Sequence, residues 1–179
     1  MKEASTYILK EVQEALDKVD QAKVGEFVDL IISSKKIFIY GVGRSGLVGQ
    51  SFAVRLVQLG MDVHFVGDMA TPIVEQGNLV ILISNTGETM SAVQTANIVG
   101  RIGARIVSVT SSMHSKLGSI SDIVIEISHN KDEQRRKLAP LGTIFEVSTS
   151  ILLDSLVPVL MQRLGQTESS LRKRHAIWV

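Results

Sequence analysis

Apolar residues in the opening 32 positions, namely Ile8, Leu9, Val12, Leu16, Val19, Val24, Phe27, Val28, Ile31 and Ile32, recur mostly three and four apart. That spacing predicts an amphipathic helical opening, broken near Gly25, whose apolar stripe packs on a core. The period then changes. Residues 36–40 form a short β-favouring run closed by Gly41, and Val48, Phe52, Leu56 and Leu59 resume a helical spacing as far as Gly60. The cycle repeats with a strand at 63–66, a strand at 79–83 leading to a helix from Thr89 to about Arg101, and a strand at 105–109 leading to a short helix near 114–120. A fifth strand falls at 123–127.

Strands apolar on both faces that alternate with helices predict a parallel sheet, because parallel pairing needs crossover helices and those helices cover the sheet. The expected fold class is therefore α/β, a three-layer α/β/α sandwich around a five-stranded parallel sheet. Residues 130–137 are polar and charged and read as a break. After Pro140 a long apolar helix is expected over 142–164. Its apolar residues cover more than one face, as in a buried helix, and part of that surface with the opening helix would suit a subunit interface. The segment 166–179 is polar until its apolar end at 176–179, a tail expected to reach toward another subunit.

At 179 residues the chain is expected to be one domain, with a helical segment at 1–34 and a tail at 165–179. A formal net charge of +1 lacks the basic footprint of sequence-independent nucleic-acid binding. The absence of cysteine excludes disulfides, thiolate metal sites and thiol nucleophiles. The first nine residues lack the pattern of a secretory signal, and the apolar stretch 151–161, interrupted by Asp154 and Ser155, is shorter than the roughly 20 residues of a membrane helix. A cytoplasmic protein with no membrane partner is the expectation.

In an open parallel sheet ligands bind beyond the carboxyl ends of the strands. Two loops stand there. The first, 41–46, reads Gly-Val-Gly-Arg-Ser-Gly, and Gly43, Arg44 and Ser45 would meet a ligand at the start of the next helix. The second, 84–89, reads Ser-Asn-Thr-Gly-Glu-Thr. Ser84, Thr86 and Thr89 supply hydroxyl donors, and Asn85, Gly87 and Glu88 lie between them at a helix N-terminus that favours an anion. That combination suits a phosphomonoester. Two other readings stay open on the residues alone. The first loop also fits a dinucleotide fingerprint, with Asp68 downstream to meet a ribose, and the second could be a turn with an N-cap.

The two loops together resemble the signature of the sugar isomerase (SIS) domain family, whose second loop usually reads S-x-S-G-x-T; here Thr86 replaces the second serine and keeps its hydroxyl. With Pro-Leu-Gly-Thr-Ile-Phe-Glu at 140–146 and Lys-Arg-His at 173–175, the chain is similar nearly end to end to the 6-phospho-3-hexuloisomerases. The resemblance implies interconversion of D-arabino-3-hexulose 6-phosphate with D-fructose 6-phosphate in the ribulose monophosphate pathway. It also implies no metal or organic cofactor and a homo-oligomer, typically a tetramer.

Moving a ketone between C3 and C2 requires a base beside both carbons. The resemblance makes that base Glu146, flanked by Ile144, Phe145 and Val147. A structural alternative is open, since residues 143–146 also fit a T-x-x-E capping box. Arg44 could steady an enediolate. His175 could assist proton transfer or opening of the fructose ring from a neighbouring subunit. His64, His114 and His129 lack metal-ligand spacing, and core or surface duty is the expectation for them. Arg135, Arg136 and Lys137 form a basic run that could border the site. Other phosphosugar isomerases, and a sensor that binds without chemistry, share these loops.

Overall fold

Five short runs of β-branched and aliphatic residues pair side by side, all parallel, in a computed structural model that describes residues 1–130 and 133–175. The strands are β1 (Ile37–Gly41), β2 (Val63–Phe65), β3 (Leu79–Ile83), β4 (Arg105–Thr110) and β5 (Ile123–Glu126), in the order β2-β1-β3-β4-β5. β3 lies at the centre with every residue buried, as expected of a strand covered on both faces. Alternate residues feed two cores. Ile37, Ile39, Ile81, Ile83, Val107 and Val109 pack on one side, and Phe38, Val80, Leu82 and Ile106 on the other.

Helices α1 (Lys2–Asp17), α2 (Gln21–Ser33), α3 (Arg44–Gln58) and α7 (Thr143–Arg163) lie on the first side. On the second side are α4 (Met90–Ile102) and α5 (Lys116–Ile120). The expected three-layer sandwich is therefore present. The opening helix does break, but at residues 18–20 and not near Gly25. The Asp20 carboxylate accepts from the N–H groups of Ala22 and Lys23 and starts α2 afresh. Gly25 stays inside α2, since one glycine costs a helix only about 1 kcal/mol.

One other segment differs from the sequence reading. The polar stretch expected to be a break contains the short helix α6 (Glu133–Leu138), with Glu133 in its first turn and Arg135, Arg136 and Lys137 in its last. That arrangement of charge complements the helix dipole. The tail, as far as His175, folds back on its own chain as α8 (Glu168–Lys173), packed on α3 through Leu171, with Arg174 donating to the Gln58 carbonyl. The apolar end at 176–179 lies outside the described residues.

At 21 residues, α7 is long and apolar enough to cross a membrane by length and composition. Half of its most apolar window is buried within this chain, where it packs on α1, α2 and α3 through residues that include Phe145, Leu153, Leu156 and Leu160. Ile151 and Val159 remain exposed.

Candidate active site

β1 and β3 are neighbours, yet the chain leaves them in opposite directions. α3 crosses to one face of the sheet and α4 to the other. A crevice must open at such a switch point, beyond the carboxyl ends of the strands. The loops at 41–46 and 84–89 both lie there. Gly43 takes a positive φ of 59° and stands at the N-cap of α3, and Arg44 and Ser45 are the first two residues of that helix. Arg44 is exposed and Ser45 buried.

The second loop divides its hydroxyls between two tasks. Ser84 is buried, and its Oγ lies 2.9 Å from Thr89 Oγ1 while accepting the Gly87 N–H at 3.2 Å. Its first role is thus to shape the loop. Thr86 is exposed, with Oγ1 accepting the Glu88 N–H at 3.2 Å. Thr89 stands at the N-cap of α4, yet its side chain makes no cap bond and its hydroxyl meets Ser84 instead. With no side chain capping them, the leading N–H groups of α4 are open to an anion. The Asn85 carbonyl accepts from Ser111 N at 2.8 Å, Ser111 Oγ at 2.7 Å and Thr110 Oγ1 at 3.2 Å, which ties the loop to the end of β4.

Glu88 faces α5. Its carboxylate accepts from Lys116 N at 3.0 Å and meets Lys116 Nζ at 2.8 Å. The side-chain hydrogen bond from Lys116, then its backbone N–H, holds the Glu88 carboxyl below its ordinary 4.5, and the same side-chain bond raises Lys116 above 10.5. A lowered acid stabilises above its unfolded value and loses that contribution as pH falls through the folded one. A raised base contributes below its unfolded value and loses it as pH climbs through the folded one. Between those limits the brace is constant. Lys116→Met should therefore lower the melting temperature by the same margin at pH 6 and pH 8, measured by thermal denaturation. A penalty that changes between those values would contradict this assignment.

Beside the loop lies a cleft of about 420 Å³. Asn85, Thr86 and Glu88 of the loop line it, with Ser111 and Ser112 from just after β4. His114, Ser115, His129, Arg135 and Leu141 complete it. The two histidines were expected in core or surface positions; the fold brings both to the cleft, and Arg135 borders it as its basic run suggested. Ser111 and Ser112 escaped the sequence reading although they occupy the same strand-end position as the loops it singled out. His64 stays outside, paired with Asp62 at 2.8 Å, its ring beside Phe38.

The third element of the site is the start of α7. Its N-cap is Gly142, without a side-chain cap, and Thr143 donates instead to the Pro140 carbonyl at 2.7 Å. Glu146 is consequently the fourth helical residue, one position beyond the place a capping box requires, which excludes that alternative. Its carboxylate is 11% exposed and accepts from Nε of Arg44, whose side chain is 67% exposed. Arg44 at the start of α3, Glu146 in the first turns of α7 and Asn85 of the loop after β3 are thus brought together, the Glu146 carboxylate and the Asn85 amide nitrogen both lying against Gly142. His175 does not join them within one chain; it lines a separate hollow with Arg55, Gln58 and Arg172. Asp68, the residue a dinucleotide reading would need, lines another hollow with Val54, Phe65 and Arg174.

The fold and this site define a doubly wound α/β protein with a crevice at its switch point and a shielded carboxylate beside it. The chain belongs to the SIS domain family, whose model matches residues 30–153. It is 39% identical over 153 residues to a 3-hexulose-6-phosphate isomerase of Methanocaldococcus jannaschii, covering 86% of this chain and 82% of that protein. A protein of the same description from Bacillus subtilis is 31% identical, covering 94% of each chain. Among solved structures, a hypothetical protein of Methanococcus jannaschii, for which a 3-hexulose-6-phosphate isomerase function was inferred, superposes with a TM-score of 0.86 at 34% identity, covering 96% of this chain and 98% of that one.

Proposed function

We propose that the protein is a cytoplasmic phosphosugar isomerase that interconverts D-arabino-3-hexulose 6-phosphate and D-fructose 6-phosphate, as in the ribulose monophosphate pathway. The observation that carries this reading is the Glu146 carboxylate, shielded from solvent, joined to Arg44 and lying with the Asn85 amide of the 84–89 loop against Gly142. Relatives named for this activity, matched over most of their length, support the choice of substrate.

The phosphate sits on the 84–89 loop, held by Thr86, Thr89 and the leading N–H groups of α4. Glu146 removes the proton from C2 of the 3-ketose. The C2–H electron pair becomes the C2=C3 bond, and the former C3 carbonyl oxygen takes a proton to give an enediol. Loss of the proton on O2 restores a carbonyl at C2, and C3 receives a proton from the same carboxyl group. No atom is gained or lost and no redox partner is required. Arg44, already bound to the base, lies where it can steady the negative oxygen of the intermediate.

An assay of the purified protein on 3-hexulose 6-phosphate, with arabinose 5-phosphate and a heptulose phosphate as rivals, tests the assignment. Deuterium exchange at C2 of fructose 6-phosphate separates an enzyme from a sensor. Binding without exchange would sink the enzymatic reading. The reading includes a homotetramer in which His175 reaches a neighbouring subunit's site and helps open the fructose ring. The 3-hexulose would need O6 for a five-membered ring of its own, and O6 carries the phosphate, so only fructose 6-phosphate has such a ring to open. His175→Ala is therefore expected to slow the reaction from fructose 6-phosphate more. Equal loss in both directions would remove this role.

A further inference from the structure

Gly142 stands at the N-cap of α7 with φ −88° and ψ 10°, a conformation open to any L-residue. Backbone geometry therefore gives no reason for glycine here. Space does. A β-carbon built on Gly142 would lie 2.8 Å from Glu146 Oε1, 3.2 Å from its carboxyl carbon and 3.3 Å from Asn85 Nδ2. The bare α-carbon thus leaves a seat for the Glu146 carboxylate, which meets Arg44, and room for the Asn85 amide, both packed where a side chain on Gly142 would stand.

The residues around this seat hold it in register. Leu141 is the single non-glycine with positive φ among the described residues, at 58°, and it is 87% exposed, so no burial of its own side chain offsets the strain. Its carbonyl accepts from Arg135 Nη1 at 2.8 Å, and Thr143 Oγ1 binds the Pro140 carbonyl at 2.7 Å. A strained turn pinned from both sides sets where Gly142 falls relative to the loop at 84–89.

We propose that Gly142 is a positioning residue, whose missing side chain lets the Glu146 carboxylate hold its place on Arg44; this rests on reading Glu146 as the base. The atoms a methyl group would meet are side-chain ends and not backbone, so the fold can accommodate alanine while the carboxylate cannot stay where it is. Stability and catalysis are thereby separable at this position.

Gly142→Ala is expected to keep or raise the melting temperature and to leave affinity for fructose 6-phosphate unchanged. Its kcat should fall roughly 10- to 100-fold, the scale of an ångström-sized misplacement of a reacting group. Gly25→Ala, in α2 with open space around the site, controls for the general effect of adding a methyl group to a helix and should leave kcat unaltered. In a Glu146→Asp background, where the shorter side chain vacates the seat, Gly142→Ala should cost little further.

Wild-type kcat in Gly142→Ala, alongside an inactive Glu146→Gln, would overturn the positioning role while sparing the assignment of the base. Full turnover by Glu146→Gln would instead remove the base itself. A crystal structure of Gly142→Ala then judges the seat independently: an unmoved Glu146 carboxylate refutes it and a displaced one upholds it. Failure of Gly142→Ala to fold would also refute it, since a tolerant fold is part of the claim.

Discussion

Glu146→Gln is expected to bind fructose 6-phosphate within a few-fold of the native affinity and to lose roughly 10²- to 10⁴-fold in kcat, the range a general base supplies. The amide keeps the size of the side chain and can still accept from Arg44, so the crevice retains its shape; what disappears is the capacity to take a proton. The proposed phosphate contacts should be unaffected, because they are assigned to the loop at 84–89 and the start of α4. Initial rates in both directions and deuterium wash-in at C2 measure the loss. Turnover within about ten-fold of the native rate would assign proton transfer to another group. The mostly shielded position of this carboxylate, against the exposed position of its arginine, is the reason for expecting so large an effect from one atom's change.

The second large effect is at Gly87, for a different reason. Its φ of +66° is a left-handed conformation, and a β-carbon there would lie 2.5 Å from Ser115 Cβ and 2.9 Å from Thr110 Oγ1, with Ser115 Oγ closer still. Left-handed strain of about 1–2 kcal/mol adds to an overpacking cost of about 1–3 kcal/mol. Gly87→Ala should then lose roughly 2–5 kcal/mol of stability, several degrees or more in melting temperature. Whatever protein folds should bind phosphosugar weakly, because the loop must move off Ser115. Gly77 has φ +83° with nothing near its α-carbon, so Gly77→Ala isolates the conformational part. Ser84→Ala, which removes the hydroxyl bonded to Thr89 and to the Gly87 N–H, should be milder, at about 1–3 kcal/mol with a moderate loss of affinity. Equal penalties for Gly77→Ala and Gly87→Ala would show that close packing against Ser115 is unimportant.

The contrast between these glycines bears on how much of the site is readable in advance. The motif at 84–89 drew notice as a set of donors, yet its most buried hydroxyl, that of Ser84, organises the loop, and Gly87 is required by Ser115 on a different element. Gly142 shows no sequence signal of its own, since the atoms that require it include the Asn85 amide of a distant loop. His114 and His129 are separated in sequence by β5 and its approaches, so nothing local hints that they share a cleft.

The sequence by itself determined the alternation of strands and helices, the parallel sheet and the two strand-end loops, because each follows from spacing and residue type within a few positions. It also carried the resemblance to the SIS family in those loops. Tertiary structure alone decided the strand order, the start of α7 one position away from a capping register, and the meeting of Arg44 with Glu146 across 102 positions of chain. The physical reason is range. Hydrophobic period and turn chemistry act between neighbours, whereas the crevice exists because adjacent strands send their helices to opposite faces, and that choice is made by packing over the whole sheet.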